Sequence, residues 1–294
     1  VASGRMKIAI AQVNPTVGDL AGNRGLVEAA VDKAVAAGAD LLVLPELVLS
    51  GYPPMDLLER QGFVRDQLRE LTALEPASRR IAIVLGAVLP AEDPRSRPKR
   101  LLNAGVLMAG GRRIAMRAKS LLPTYDVFDE KRHFAPASER EPVALPGSET
   151  RLGIAICEDT WGDRVAYAVD PVAELSAAGA TLLLNPSASP WHVGKALERR
   201  QMLAGLAGRH GLPIVIVNQV GGNDELVFDG GSFVADASGR IHCALPLFES
   251  AFGVAQIPAG EPGLSPEAIE EPSGTAQLEA GLVLGIRDYF LKQD

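Results

Sequence analysis

The chain has 294 residues, 47% of them apolar and 22% charged, and carries a formal net charge of -7. That length can bury a large core, so the composition is that of a globular protein with one large or two small domains. A negative chain without a Lys/Arg-rich run lacks the clustered positive charge that a nucleic-acid backbone or an anionic membrane needs as main partner, and no apolar run approaches the roughly 20 residues of a membrane helix.

In chain order, Lys7 to Val13 reads as a strand closed by Asn14-Pro15, and Asn23 to Ala37 carries apolar residues at helical spacing up to Gly38. Leu41 to Leu44 is a compact β-type run, Leu57 to Leu74 is helical, and Ile81 to Leu89 is a second β-type run. Asn103 to Met108 and Arg112 to Arg117 flank Ala109-Gly110-Gly111, whose glycines supply the positive φ angles of a tight hairpin. Further strands are expected at Leu152 to Ile156, Thr181 to Leu184, Ile214 to Asn218, Ser232 to Ala235 and Ile241 to Ala244, with helices near Arg164 to Ala178 and Lys195 to His210. The glycine clusters Gly221-Gly222-Asn223-Asp224 and Gly230-Gly231-Ser232-Phe233 read as turns. This alternation predicts one α/β domain over residues 6–258 with helices covering the sheets. Residues 259–276, crowded with Pro, Gly, Glu and Ser, read as a linker, after which residues 277–294 regain helical spacing through Leu278, Leu282, Leu284, Ile286, Tyr289 and Leu291.

Cys157 follows the apolar run Leu152-Gly153-Ile154-Ala155-Ile156 and precedes Glu158-Asp159, where a buried strand meets a polar turn. Such strand ends are rigid platforms from which a side chain reaches a cleft, although a lone Cys can equally be a small buried hydrophobe. Ionised carboxylates beside a thiol raise its pKa, so attack by this sulfur requires a nearby cation or a base that takes its proton. Glu46 likewise follows an apolar run, Leu41-Leu42-Val43-Leu44-Pro45, and a carboxylate in that company either titrates upward or finds a cation. Lys119, after the hairpin, can be that cation and can also donate to an oxyanion formed at an amide carbonyl, while Glu46 shuttles the proton. Glu46 and Lys119, each taken alone, have a plain alternative, Glu46 as an exposed strand-end or helix N-terminal charge and Lys119 as a solvated one. Cys157 and Cys243 are the only cysteines and are far apart, and no charged-then-apolar leader is seen, so a reduced, cytoplasmic chain is expected. His133, His192, His210 and His242 show no paired ligand spacing, and no metal site is expected. Cys243 and Trp161 are expected in core packing, Trp161 alternatively as a pocket wall.

Leu44-Pro45-Glu46, Lys119-Ser120-Leu121-Leu122-Pro123 and Ile156-Cys157-Glu158-Asp159 resemble the three motifs of the nitrilase superfamily, in its order and with similar spacing, over about Met6 to Pro258. The resemblance implies a four-layer α-β-β-α sandwich with Glu46, Lys119 and Cys157 as its Glu-Lys-Cys triad. Within that superfamily, Gly51-Tyr52-Pro53-Pro54, Leu122-Pro123-Thr124-Tyr125-Asp126-Val127-Phe128-Asp129-Glu130 and Asn185-Pro186-Ser187-Ala188-Ser189-Pro190 are similar to the glutaminase domains of the glutamine-dependent NAD synthetases. This likeness implies that Tyr125, Ser189 and Lys195 contact L-glutamine, that Glu130 is a supporting carboxylate near the triad, and that Glu158 helps to hold Lys119 or the substrate amine. It further implies a hydrolysis that needs no cofactor, a homo-oligomer, and a synthetase domain that uses ATP and Mg to amidate deamido-NAD with the released ammonia. The Ser-Gly-Gly-x-Asp-Ser phosphate loop of that second domain does not occur in these residues, and Ala280 to Tyr289 resembles its opening helix. The alternatives are a free-standing amidase, carbamoylase or nitrile hydrolase of the same fold, and a binding domain that retains the fold without catalysis.

Overall fold

The structure is a computed structural model that describes residues 5–91, 101–162, 167–258, 260 and 262–292. The chain opens with β1 (Met6–Gln12), α1 (Leu20–Ala36), β2 (Leu41–Val43), α2 (Gln61–Ala73) and β3 (Ala82–Pro90), then the hairpin β4 (Leu101–Ala109) and β5 (Arg112–Ala118). There follow α3 (Glu130–His133), β6 (Val143–Ala144), β7 (Arg151–Ile154), α4 (Pro171–Ala177), β8 (Leu182–Ser187) and α5 (Lys195–His210). The last part holds β9 (Ile214–Asn218), β10 (Val220–Asn223), β11 (Leu226–Asp229), β12 (Phe233–Ala235), β13 (Ile241–Ala244), β14 (Ala251–Ile257) and α6 (Gly274–Leu291).

These strands form two six-stranded sheets, ordered β14-β1-β2-β3-β4-β5 and β13-β12-β9-β8-β7-β6, with β10 and β11 as a separate pair. Each large sheet has a parallel centre, β1-β2-β3 in one and β7-β8-β9 in the other, flanked by antiparallel strands. The period-2 alternation of a strand sorts the side chains of β1: Ile8 and Ile10 enter the core between the sheets, while Ala9 and Ala11 face the helices. Leu41, Val43, Val84 and Leu107 of the first sheet join Leu152, Ile154, Leu182, Leu184, Val215 and Val217 of the second in that inner core. The outer face of the first sheet packs with Val27, Val31 and Ala34 of α1 and Leu71 of α2, and that of the second with Val172 and Leu175 of α4 and Leu203, Leu206 and Ala207 of α5. Four layers, α-β-β-α, result. Burial on both faces explains why the central strands are continuous apolar runs in the sequence.

Several boundaries differ from expectation for local reasons. The Leu57 to Leu74 stretch divides into a 3-10 turn, Met55–Glu59, and α2, because Arg60 is extended at φ -86° and ψ 106°. The helix expected near Arg164 to Ala178 begins at Pro171, since Asp170 caps it by accepting from the Val172 and Ala173 N–H groups and a proline suits the first turn; residues 163–166 lie outside the described residues. Gly221-Gly222-Asn223 is strand β10 rather than a turn, and its turn to β11 starts at Asp224. The glycine there answers a close approach: Gly221 has φ 123°, and a Cβ on it would lie 1.9 Å from Asn14 Oδ1. The strands β6, β11 and β14 add to those expected from the sequence.

Of the expected linker, residues 259 and 261 lie outside the described residues, and the rest is tied down. Leu264 exchanges both backbone hydrogen bonds with Ile241 at 2.8 Å, and Glu271 pairs with Arg200 of α5. The terminal helix α6, capped by Ser273 Oγ, folds back on β10 and β11. It turns Gln277, Gly281, Leu284 and Asp288 inward, so most of the apolar stripe that predicted the helix, Leu278, Leu282, Ile286, Tyr289 and Leu291, is on its open face. Residues 293–294 lie outside the described residues, and no described helix is long and apolar enough to cross a membrane.

Candidate functional site

Glu46 and Cys157 lie in the turns that follow the parallel strands β2 and β7, and Lys119 directly follows the antiparallel hairpin β4-β5, so the three expected reacting residues come from beyond strand ends of both sheets. Glu46 is fully buried in the turn that follows β2, where the chain bends sharply through Leu47 at φ 45°. That turn presses against β3: a Cβ on Gly86 would lie 2.1 Å from the Leu47 nitrogen and 2.6 Å from Glu46 Cα, so only glycine fits there. Its Oε1 accepts from Lys119 Nζ at 2.8 Å and Asn103 Nδ2 at 2.6 Å, and its Oε2 accepts from the Ala188 N–H at 3.0 Å. The acid has therefore found the cation that its apolar setting demands.

Lys119 is 1% exposed and also donates to Glu130 Oε1 at 2.7 Å, so its ammonium lies between two carboxylates. Burial alone would lower it, yet Glu130 and Glu46 carry it well above the usual lysine range. Glu130, at the start of α3, also accepts from the hydroxyl of Tyr52 at 2.9 Å, while its Oε2 is buried without a partner among the described residues. Burial, helped by Glu46 and opposed by Lys119, pushes its carboxyl up to about 7. Tyr52 is raised as well, by burial and then by the two carboxylates.

Cys157 is 7% exposed and has φ 42°, a left-handed conformation uncommon for a side-chain-bearing residue and characteristic of functional turns. Burial and the Glu46 carboxylate push its thiol far up, while the Lys119 ammonium and a hydrogen bond with Ser187 pull it down. Sulfur, carboxylate and ammonium thus act on one another, and a thiol held up in this way needs an acceptor for its proton during attack. Asp159, two residues on, is buried, and its carboxylate accepts from the N–H groups of Ser120, Leu121 and Ile156. Burial pushes it up to about 7 against those three bonds.

The expected substrate contacts fall into two groups. Tyr125 is 45% exposed, and its hydroxyl donates to Glu158 Oε1 at 2.8 Å; Tyr167 donates to the same oxygen at 2.7 Å. Glu158 is therefore held by two tyrosines rather than by Lys119, and burial followed by the carboxylate raises both phenols. Lys195, the first residue of α5, rests 3.8 Å over the Trp161 ring and 3.6 Å from Glu198, and burial lowers its ammonium. Trp161 also packs, half-buried, against the core on the outer face of the second sheet, as expected of it. Ser189 is buried just after β8, its N–H donating to Asn218 Oδ1 at 2.8 Å.

Tyr52, Asn103, Tyr167, Ser187 and Asp159 join the expected residues at the site. Asn103 left a usable signal, an amide inside an apolar strand that must find a buried partner. Tyr167 left none. The histidine spacing showed no metal site, but the fold brings His133 close to Asp56 and Glu59, within 4.8 Å between candidate ligand atoms; Arg132 pairs with both acids.

The family model described as Carbon-nitrogen hydrolase matches residues 7–263. The chain is 40% identical to the glutamine-dependent NAD(+) synthetase of Synechocystis sp. over 97% of its own length and 52% of that protein's. The solved glutamine-dependent NAD+ synthetase of Acinetobacter baumannii superposes with a TM-score of 0.86 at 32% identity, covering 97% of this chain and 52% of that one. A nitrilase-superfamily amidase of Nesterenkonia superposes with a TM-score of 0.72 at 26% identity over 86% of this chain and 90% of its own. The chain thus spans about half the length of the synthetases it matches and nearly all of the amidase.

Proposed function

Because the chain belongs to the carbon-nitrogen hydrolase family, we propose that it hydrolyses the side-chain amide of L-glutamine, with Cys157 as nucleophile, Glu46 as general base and acid, and Lys119 as oxyanion donor. The observation that carries this reading is the buried Glu46–Lys119–Glu130 cluster acting on the thiol of Cys157, in a chain whose relatives are named for glutamine dependence.

The sulfur attacks the amide carbon as Glu46 takes the thiol proton, and the C=O π electrons become an oxyanion that the Lys119 ammonium stabilises. When the oxyanion collapses, the C–N bond breaks, Glu46 returns the proton to nitrogen, and ammonia leaves a γ-glutamyl thioester. Water then gives a proton to Glu46 and adds to the thioester carbon, and collapse expels the sulfur, which regains that proton as glutamate departs. No step calls on a metal or an organic cofactor. Glu158, held between two tyrosine hydroxyls, suits the substrate ammonium, while Lys195 and Ser189 suit its carboxylate. In this reading the ammonia serves the amidation of deamido-NAD in a synthetase domain that holds ATP and Mg, and the protein is a cytoplasmic homo-oligomer.

Intact-mass analysis with a glutamine-analogue electrophile tests the assignment. One covalent adduct is expected, and it disappears in Cys157→Ala. A thiol that labels no faster than free cysteine overturns the enzyme reading, and preferential turnover of small aliphatic amides over glutamine would favour the free-standing amidase.

A further inference from the structure

Lys119 and Cys157 are delivered by different sheets, the one from the end of β5 and the other just beyond β7, so nothing in the strand register sets the distance between them. One side chain spans the gap. Asp159 is 2% exposed, and its Oδ1 accepts from the N–H groups of Ser120 at 2.9 Å and Leu121 at 2.7 Å, the two residues that follow Lys119. Its Oδ2 accepts from the N–H of Ile156 at 2.9 Å, immediately before Cys157, and its own N–H donates back to the Ile156 carbonyl at 2.9 Å. The same carboxylate therefore grips the loop that carries the ammonium and closes the turn that holds Cys157 at φ 42°. A left-handed non-glycine residue persists only where its surroundings over-determine it, and the reciprocal pair across Ile156 does so here.

We propose that Asp159 is a positioning residue for the hydrolysis: its carboxylate fixes the Lys119 loop against the Cys157 turn, so that ammonium and sulfur meet the same carbonyl group. It acts through the three backbone N–H groups that its carboxylate accepts from. Three such donors suit an ionised carboxylate and no other side chain of that size. Asparagine presents an amide N–H₂ toward at least one of these donors, and glutamate keeps the charge but sets the oxygens one methylene too far. The inference rests on the glutaminase reading for its reaction, although the strut itself is a matter of geometry.

The test compares Asp159→Asn and Asp159→Glu with the unmodified chain, after circular dichroism and cooperative unfolding have shown which variants fold. In a positioning role both variants lose about tenfold to a hundredfold in kcat, the scale of a misplacement near 1 Å, while KM for glutamine stays within about threefold. A charge role instead leaves Asp159→Glu close to the parent, and a wild-type kcat in either folded variant overturns the proposal. If neither variant folds, Asp159 is a folding determinant and the positioning claim fails. Iodoacetamide alkylation, read at the Cys157 peptide at constant pH, separates this claim from the glutaminase reading. Loss of support from Lys119 slows alkylation about tenfold in both variants, corresponding to about one pKa unit of lost cation support. An unchanged or faster rate overturns the strut even if the parent chain releases no ammonia from glutamine. A parent chain without glutaminase activity but with slowed alkylation in the variants overturns the function and leaves the strut in place.

Discussion

Replacing Lys119 by methionine keeps most of the side-chain volume and removes the charge at the centre of the site. The ammonium lies 2.8 Å from Glu46 Oε1 and 2.7 Å from Glu130 Oε1, with all three groups buried. At an effective dielectric of about 20, each such contact is worth about 6 kcal/mol of attraction, most of it offset by the several kcal/mol each ion loses in leaving water. Deleting the cation leaves that desolvation cost without its compensation. Glu46 retains Asn103 and the Ala188 N–H, whereas Glu130 retains, among the described residues, the Tyr52 hydroxyl alone. The expected loss for Lys119→Met near pH 8 is about 3–5 kcal/mol, the usual cost of breaking a buried pair from one side.

The loss must also depend on pH in one direction. Without the ammonium, the burial that already raises Glu130 loses its main opposition, so the native state favours the protonated form of that carboxyl still more. That contribution is complete below the unfolded value and disappears as pH rises through the folded one, so the variant should lie closer to the parent near pH 5.5 than near pH 8. Urea unfolding at both pH values measures it. A loss under about 1 kcal/mol at pH 8, or an equal loss at both, would refute the claim that Lys119 neutralises this cluster.

Glu130→Gln tests the same cluster from its other side: a carboxyl raised from 4.5 to about 7 gives stability below pH 4.5 that is lost by pH 7, so the variant should flatten the stability curve across that window while Asp159 still titrates. Parallel urea midpoints for parent and variant across that window would contradict it. Gly86→Ala should cost about 1–3 kcal/mol or more and disable the site, because its Cβ meets the Leu47 nitrogen at 2.1 Å; Gly25→Ala, with open space inside α1, should instead stabilise by about 0.5–1 kcal/mol, and thermal unfolding compares them. Asp288→Ala removes the acceptor shared by Asn14 Nδ2 and the Gly222 N–H, and should cost about 1–3 kcal/mol and speed amide exchange in α6 and β10 ahead of the sheets. Exchange that stays uniform would show that other contacts hold the helix.

How far the sequence could be read depended on where each residue's partners lie along the chain. Central strands such as Ile214–Asn218 are legible because burial on two faces imposes an apolar run that needs no knowledge of neighbours, and Lys195–His210 is legible because its helical period is local. Val143–Ala144 and Leu226–Asp229 exist through pairing with segments outside their own short runs, so their composition carries little trace of a strand. The terminal helix shows a third case: periodicity locates Gly274–Leu291, but of the apolar stripe only Leu284 docks, beside Gly281 and Asp288, so the period is right and most of the inward face is not. The site divides in the same way. Glu46 and Cys157 stand out because a reactive side chain follows an apolar run directly, and the motifs add Lys119. The residues that hold these three in place are harder to see, since each works through a partner 30 or more positions away: Asn103 on Glu46 at a separation of 57, and Asp159 on the Leu121 and Ser120 N–H groups at 38 and 39. Reactivity leaves a local mark because it needs an unusual side chain at a rigid strand end. Positioning is a property of the gap between two segments, and the acid pair Glu158-Asp159 looks uniform in sequence although one member faces two tyrosine hydroxyls and the other three backbone N–H groups.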